Sequence, residues 1–141
     1  MSTDALAGVG ARFLRENDDS SGEYTAIANI RRIRRTGKRR DNLEATDLDS
    51  TGGYREWITG FRDGGTFELE TYWTPTNDTI FNDDFDDDDP HGYGVEFPDA
   101  GDYTRHFDGY VTEMGNVDIT ADGVLMMPVM IKVTGADTIT T

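Results

Sequence analysis

The chain has 141 residues, 28 acids against 13 bases, a formal net charge of −15 and no cysteine. These numbers exclude disulfides and thiolate metal sites, and the acid excess sets the surface as a whole against polyanions. No apolar run approaches the ~20 residues of a membrane-spanning helix, and Asp4 sits where a signal peptide would carry positive charge, so a soluble single domain over residues 1–141, with no membrane association, is expected.

Strand signals dominate. Residues 10–17 (GARFLREN) are a short apolar–polar stretch closed by the turn cluster Asp18-Asp19-Ser20-Ser21-Gly22. Residues 24–35 follow, with Ile27 and Ile33 on one side of a pleat and Ala26, Ala28 and Ile30 on the other, and the two segments read as a hairpin. From 36 to 65 the chain is polar, punctuated by glycines and thin in apolar residues. A connection that long is uncommon in a compact domain and usually functional. Residues 66–73 then alternate, with Phe67, Leu69 and Trp73 on one face and Glu68 and Glu70 on the other. Residues 76–86 read as one short helix: Thr76, Asn77 or Asp78 can cap it, and Phe81 and Phe85 lie one turn apart. Six aspartates within 83–89 should fray its end. Strands are expected at 92–97, at 103–112 after a Pro98-Asp99-Ala100-Gly101 turn, and at 124–134, where Leu125, Met127, Val129, Ile131 and Val133 share a face. Pro128 lacks a ladder donor, which places that strand at an edge or bulges it. Six or seven strands and one helix give a mostly β fold, a β-sandwich or a small, partly closed barrel.

Catalytic and metal signatures are thin. On the EF-hand template, Asp84, Asp86 and Asp88 fill positions one, three and five, but Asp89 replaces the turn glycine and Val95 the final glutamate. The acidic run therefore reads as a solvated loop, with a loose, weak cation site as the alternative. His91 and His106 are the only histidines, and no nucleophile elbow, Walker loop, zinc-protease motif or dinucleotide fingerprint is present. Neither an enzyme nor a cofactor is expected.

The sharpest local anomaly is basic. Arg31, Arg32, Arg34, Arg35, Lys38, Arg39 and Arg40 place seven of the thirteen bases within ten residues. Such a block can be a nucleic-acid patch, and a basic binding module is the competing reading. The rest of the chain is more acidic than the whole, no nucleic-acid-binding motif accompanies the block, and Ile33 interrupts it at strand spacing. Pairing with acids of a neighbouring subunit suits arginine's forked geometry better.

Residues 43–65, LEATDLDSTGGYREWITGFRDGG, resemble the signature of the lambda-like siphophage tail tube family, with Glu44, Thr46, Asp49, Ser50, Gly53, Arg55, Glu56, Gly60 and Asp63 at the motif positions. The neighbours agree in order: Asn29 to Ile33 before it, then V-E-F-P-D at 95–99, F-x-G-Y-V-T at 107–112 and I-K-V-T-G at 131–135. The basic block and the aspartate run depart from the family pattern, and no immunoglobulin-like decoration domain follows within residues 1–141.

The resemblance implies a β-sandwich with one flanking helix, assembled in the host cytoplasm into stacked hexameric rings of a virion tail. Its partners would be itself, tape-measure, tail-terminator and tail-tip proteins, and double-stranded DNA in transit without tight binding. A gene transfer agent or a contractile-tail inner tube could use the same fold. The 36–65 connection would reach the adjacent ring and order on assembly. Glu68 and Glu70 become candidate lumen acids that keep DNA off the wall, and the arginines are left for subunit contacts.

Overall fold

The computed structural model describes residues 8–17, 22–49, 51–98, 103–115, 117 and 119–140. Their elements are β1 (Arg12–Glu16), β2 (Tyr24–Ala26), β3 (Ile30–Arg35), β4 (Arg39–Glu44), β5 (Trp57–Asp63), β6 (Thr66–Tyr72), α1 (Pro75–Asp86), β7 (His91–Glu96), β8 (Thr104–Met114) and β9 (Met126–Thr140). Seven strands form one sheet in the order β2-β1-β7-β8-β9-β6-β3, and β4 and β5 form a separate two-stranded sheet.

The large sheet is rolled on itself. Four strand intervals separate β1 from β6, about 19 Å in a flat sheet at ~4.8 Å per strand. Yet the Phe13 and Phe67 rings, on those two strands, have centroids 6.4 Å apart. Phe67 also stacks on Phe107 of β8 at 4.3 Å and 3°, and Phe13 meets Tyr93 of β7 at 5.8 Å. The roll encloses a core of these rings with Leu69, Val95, Val111, Met127, Val129, Ile131 and Val133. β2 and β3 end the strand order without pairing to each other, so the roll stays open, as a sandwich-like fold rather than a closed barrel.

The expected first hairpin is present, with Leu14 opposite Ala26 and Glu16 opposite Tyr24. Its turn at 18–21 lies outside the described residues, as does the turn at 99–101. The strand expected over 24–35 is two strands instead. Asn29 adopts a left-handed φ of 65°, a conformation asparagine tolerates better than most residues, and the chain crosses there from one sheet edge to the other. The crossing is fixed by polar bonds: Thr71 Oγ1 donates to Asn29 O at 3.0 Å, and Asn77 Nδ2 donates to Ala28 O at 2.8 Å and to Thr71 Oγ1 at 2.9 Å.

The helix begins earlier than its sequence signals suggest. Thr74 is the N-cap, its Oγ1 accepting from Asn77 N at 3.2 Å, and Pro75 opens the first turn, where its missing N–H is harmless. Phe81 is fully buried against the sheet and Phe85 is exposed. β9 lies between β8 and β6 in the sheet interior, which overturns the edge placement of Pro128. An irregularity does occur nearby, on the partner strand: Val111 faces Ile131 but Glu113 faces Met130, and the β8 ladder reaches only Val129. Pro128 therefore lies just past that ladder, where its carbonyl accepts from Gly115 N at 2.7 Å.

Candidate assembly interface

The segment 36–65, expected as an irregular loop, is a hairpin arm. β3 pairs with β6 up to Arg35 opposite Phe67. After a break, β4 pairs with β5 from Arg39 opposite Asp63 to Glu44 opposite Trp57. At the break, Gly65 has φ 84°, and a Cβ there would lie 2.2 Å from Thr36 O, so only glycine fits. β4 has no buried residue, and β5 only the partly covered Gly60. Leu43, Leu48, Tyr54, Trp57, Ile58 and Phe61 are all exposed large apolar side chains. Leu43 and Ile58 stand opposite each other on one face, and Trp57 lies on the other opposite Glu44. Neither face is buried by the described residues of the chain.

The motif residues shape this arm. Thr46 Oγ1 accepts from Glu56 N at 2.8 Å and pinches the neck below the tip. Asp49 N donates to Asp47 Oδ1 at 2.9 Å, and Gly52 and Gly53 turn the tip with φ 68° and 71°. Ser50 lies outside the described residues, and Arg55 is exposed at the tip. Gly60 sits at the irregular step in the β4–β5 register, where a Cβ would come 3.1 Å from that of Asp41. At the base, Asp63 Oδ1 accepts from Gly65 N at 2.8 Å and Lys132 Nζ at 2.7 Å.

The basic block does not act as one patch. Arg31 and Arg34 lie 3.5 Å and 3.8 Å from Glu70 and Glu68. Arg32 and Arg34 stand opposite Glu70 and Glu68 on the outer face of the sheet, so the candidate lumen acids and these arginines share one surface. Arg35 turns inward: its guanidinium lies 4.9 Å from the Phe67 ring centroid, donates to Gly64 O at 2.6 Å and 3.0 Å, and pairs with Asp137 at 2.5 Å. Lys38 and Arg105 each reach the same carboxylate at 3.2 Å. Arg39 and Arg40 remain exposed on the arm.

The aspartate run is not uniformly solvated either. Asp84 is buried: Arg15 holds it through Nη2 at 2.5 Å and Nε at 2.8 Å, and Tyr93 donates its hydroxyl at 2.6 Å. Burial pushes the Tyr93 pKa well up, with the Asp84 charge adding to the rise, so the phenol remains a donor. An Asp84 engaged in this way is withdrawn from any calcium loop, and among the described residues no cluster of three or more His, Asp or Glu side chains is arranged to hold a metal. His91 Nε2 lies 3.1 Å from Asp87 and 3.5 Å from Asp84.

The sequence profile of the lambda phage tail tube protein family matches residues 9–140. The chain belongs to that family. It is thus a structural component of a virion tail and not an enzyme. No curated protein sequence matches it. Among solved structures, it is similar to a chain in the tail of an empty gene transfer agent particle with C6 symmetry, at 21% identity and TM-score 0.76, covering 97% of this chain and 100% of that one. It is also similar to the SPP1 tail tube, at 12% identity and TM-score 0.67, covering 96% and 78%. A sheath–tube complex of an extracellular contractile injection system gives 11%, 0.65, 92% and 88%. At these identities the likeness is one of fold.

In this tail tube protein Asp137 locks the end of β9 to the arm base. Desolvation opposes its charge, but hydrogen bonds from Arg35 and Lys38, reinforced by their charges, hold its pKa down at about 2 against an ordinary 3.8. A depressed carboxylate contributes stability that is complete above its ordinary pKa and is lost as pH falls toward the folded value. On the order of 1–2 kcal/mol should therefore disappear between about pH 4 and pH 2. Thermal melts of Asp137→Asn should show a smaller loss across that window than the wild type.

Among the described residues no helix is long and apolar enough to cross a membrane.

Proposed function

We propose that the protein is the repeating subunit of a tail tube: hexameric rings stack into a hollow conduit, and double-stranded DNA passes through it. The observation that carries this reading is the arm. Six large apolar side chains stand exposed on a hairpin projecting from a highly charged protein, and contiguous exposed apolar surface marks an interaction site. In a stack, the arm would lie against a subunit of the adjacent ring and bury them. The open edges β2 and β3 support lateral association, since each carries unpaired backbone groups able to extend a neighbour's sheet. The sixfold symmetry of the gene transfer agent tail supports the ring number.

The conduit calls for weak contact with its cargo. DNA carries a charge every ~1.7 Å of axis, and a wall that bound phosphates would slow its passage. Glu68 and Glu70 serve as lumen acids, with Arg32 and Arg34 beside them partly neutralised in the same surface. Tape-measure, terminator and tip proteins would complete the tail.

Negative-stain microscopy of the purified protein at rising concentration tests the reading, alongside DNA retention at several salt concentrations. Rings or tubes with a central bore, and no salt-dependent retention, are expected. A chain that stays monomeric and retards DNA with a steep salt slope would be a nucleic-acid-binding module instead.

A further inference from the structure

Two features of opposite sign remain uncompensated among the described residues. The first is on the arm, where Arg40 and Arg62 stand directly opposite each other across β4 and β5. Like charges in that position repel. Both side chains are exposed, and neither is in an ion pair with a described residue. The second is the end of α1, which has no base in its last turn, so aspartates crowd the helix terminus that is already negative. Asp84 is neutralised by Arg15, and Asp87 has His91 beside it. Asp83, Asp86, Asp88 and Asp89 are exposed, with no cationic partner among the described residues. Local conflicts of this kind mark surfaces whose partner lies elsewhere.

We propose that Arg40 and Arg62 of one subunit receive the Asp86–Asp89 carboxylates of a second copy of this chain, so that each site relieves the repulsion in the other. The proposal rests on the tube reading and names the charge contact that helps hold the tube together. Arginine forks match discrete carboxylates bidentately. Asp41 and Asp63 flank the two arginines on the same strands, which suits a short carboxylate cluster better than a continuous run of phosphates. Donor and acceptor surfaces differ, so the contact is heterologous, the class that closes into rings or continues as a stack. Every subunit brings one of each, so the contact can repeat at any length.

Charge reversal tests it on the full chain. Arg40→Asp/Arg62→Asp and Asp88→Arg/Asp89→Arg each alter only exposed side chains, and circular-dichroism melts check that each variant folds. Each should raise the critical concentration for assembly roughly tenfold or more, and the four substitutions combined should bring it back close to wild type. Wild-type assembly should weaken as salt rises. Unchanged assembly in either reversal, or no recovery in the combined variant, overturns the pairing while leaving the tube intact. A wild type that forms no polymer overturns the tube reading itself. DNA retention that is lost only in the arginine reversal assigns the arginines to nucleic acid and overturns the pairing too.

Discussion

Asp84→Asn should lower the melting temperature of the unassembled subunit by roughly 10–20 °C, the largest effect expected from any conservative exchange in the aspartate run. Asp84 takes two guanidinium bonds from Arg15 and one hydroxyl bond from Tyr93. The amide can still accept from Tyr93, but it removes the buried charge that faces the Arg15 guanidinium, whose side chain is only 15% exposed. Breaking a buried pair from one side costs about 3–5 kcal/mol, and in a domain of this size each kcal/mol moves the midpoint by roughly 3–4 °C. The pair ties α1 to β1, and Tyr93 brings in β7, so the loss should be global rather than confined to the helix end. Asp88→Asn, at an exposed position, should shift the midpoint by no more than about 2 °C. Scanning calorimetry of both variants separates a buried anchor from a solvated acidic loop, and equal shifts would mean that Asp84 is no anchor.

Leu43→Ser/Ile58→Ser/Phe61→Ser should have the opposite profile, an intact subunit that does not polymerise. Phe61 is 88% exposed, and Leu43 and Ile58 are about half exposed, so the fold loses little when they become polar. Covering such side chains is worth about 1.5–3 kcal/mol each when complete. Even partial burial of three in one contact should raise the critical concentration by roughly 100-fold or more. Sedimentation and turbidity would read that change, and circular dichroism would confirm the fold. A triple variant that assembles at the wild-type concentration would remove the arm from the interface.

Much of the body was legible because period-2 alternation carries its own physical signal. The alternation over 66–73 and 124–134 marks β6 and β9, and their inward residues Phe67, Leu69, Met127, Val129, Ile131 and Val133 are the buried core. What alternation cannot report is strand order. Pro128 looks like an edge residue until β9 is seen between β6 and β8, with its carbonyl bonded to Gly115 just past the end of the β8 ladder. Nor does alternation report a crossover, and a single left-handed Asn29 divides what reads as one strand into two on opposite edges.

The arm was hidden for a different reason. A hairpin with both faces exposed in the subunit has no inside to alternate with, so its sequence reads as a glycine-rich loop. Charge was misleading in the same way. Six aspartates within seven residues suggest a uniformly wet loop, and ten basic-rich residues suggest one patch. Long-range partners divide both. Arg15, far from Asp84 in sequence, makes that one acid a structural residue, and Asp137 draws Arg35 and Lys38 out of the basic block. The arginines on either side of the apolar Phe13 and Leu14 of β1 were the available clue that an acid waits elsewhere, since charges are seldom buried without a partner.

The central claim is that the arm joins subunits of a tube, and a cryo-EM reconstruction of the assembled protein tests it most directly. The expected result is a hollow sixfold stack in which residues 39–63 lie against a subunit of the next ring, with Leu43, Ile58 and Phe61 covered. Tubes whose arms point into solvent, or a preparation that yields no tubes at any concentration, would contradict it.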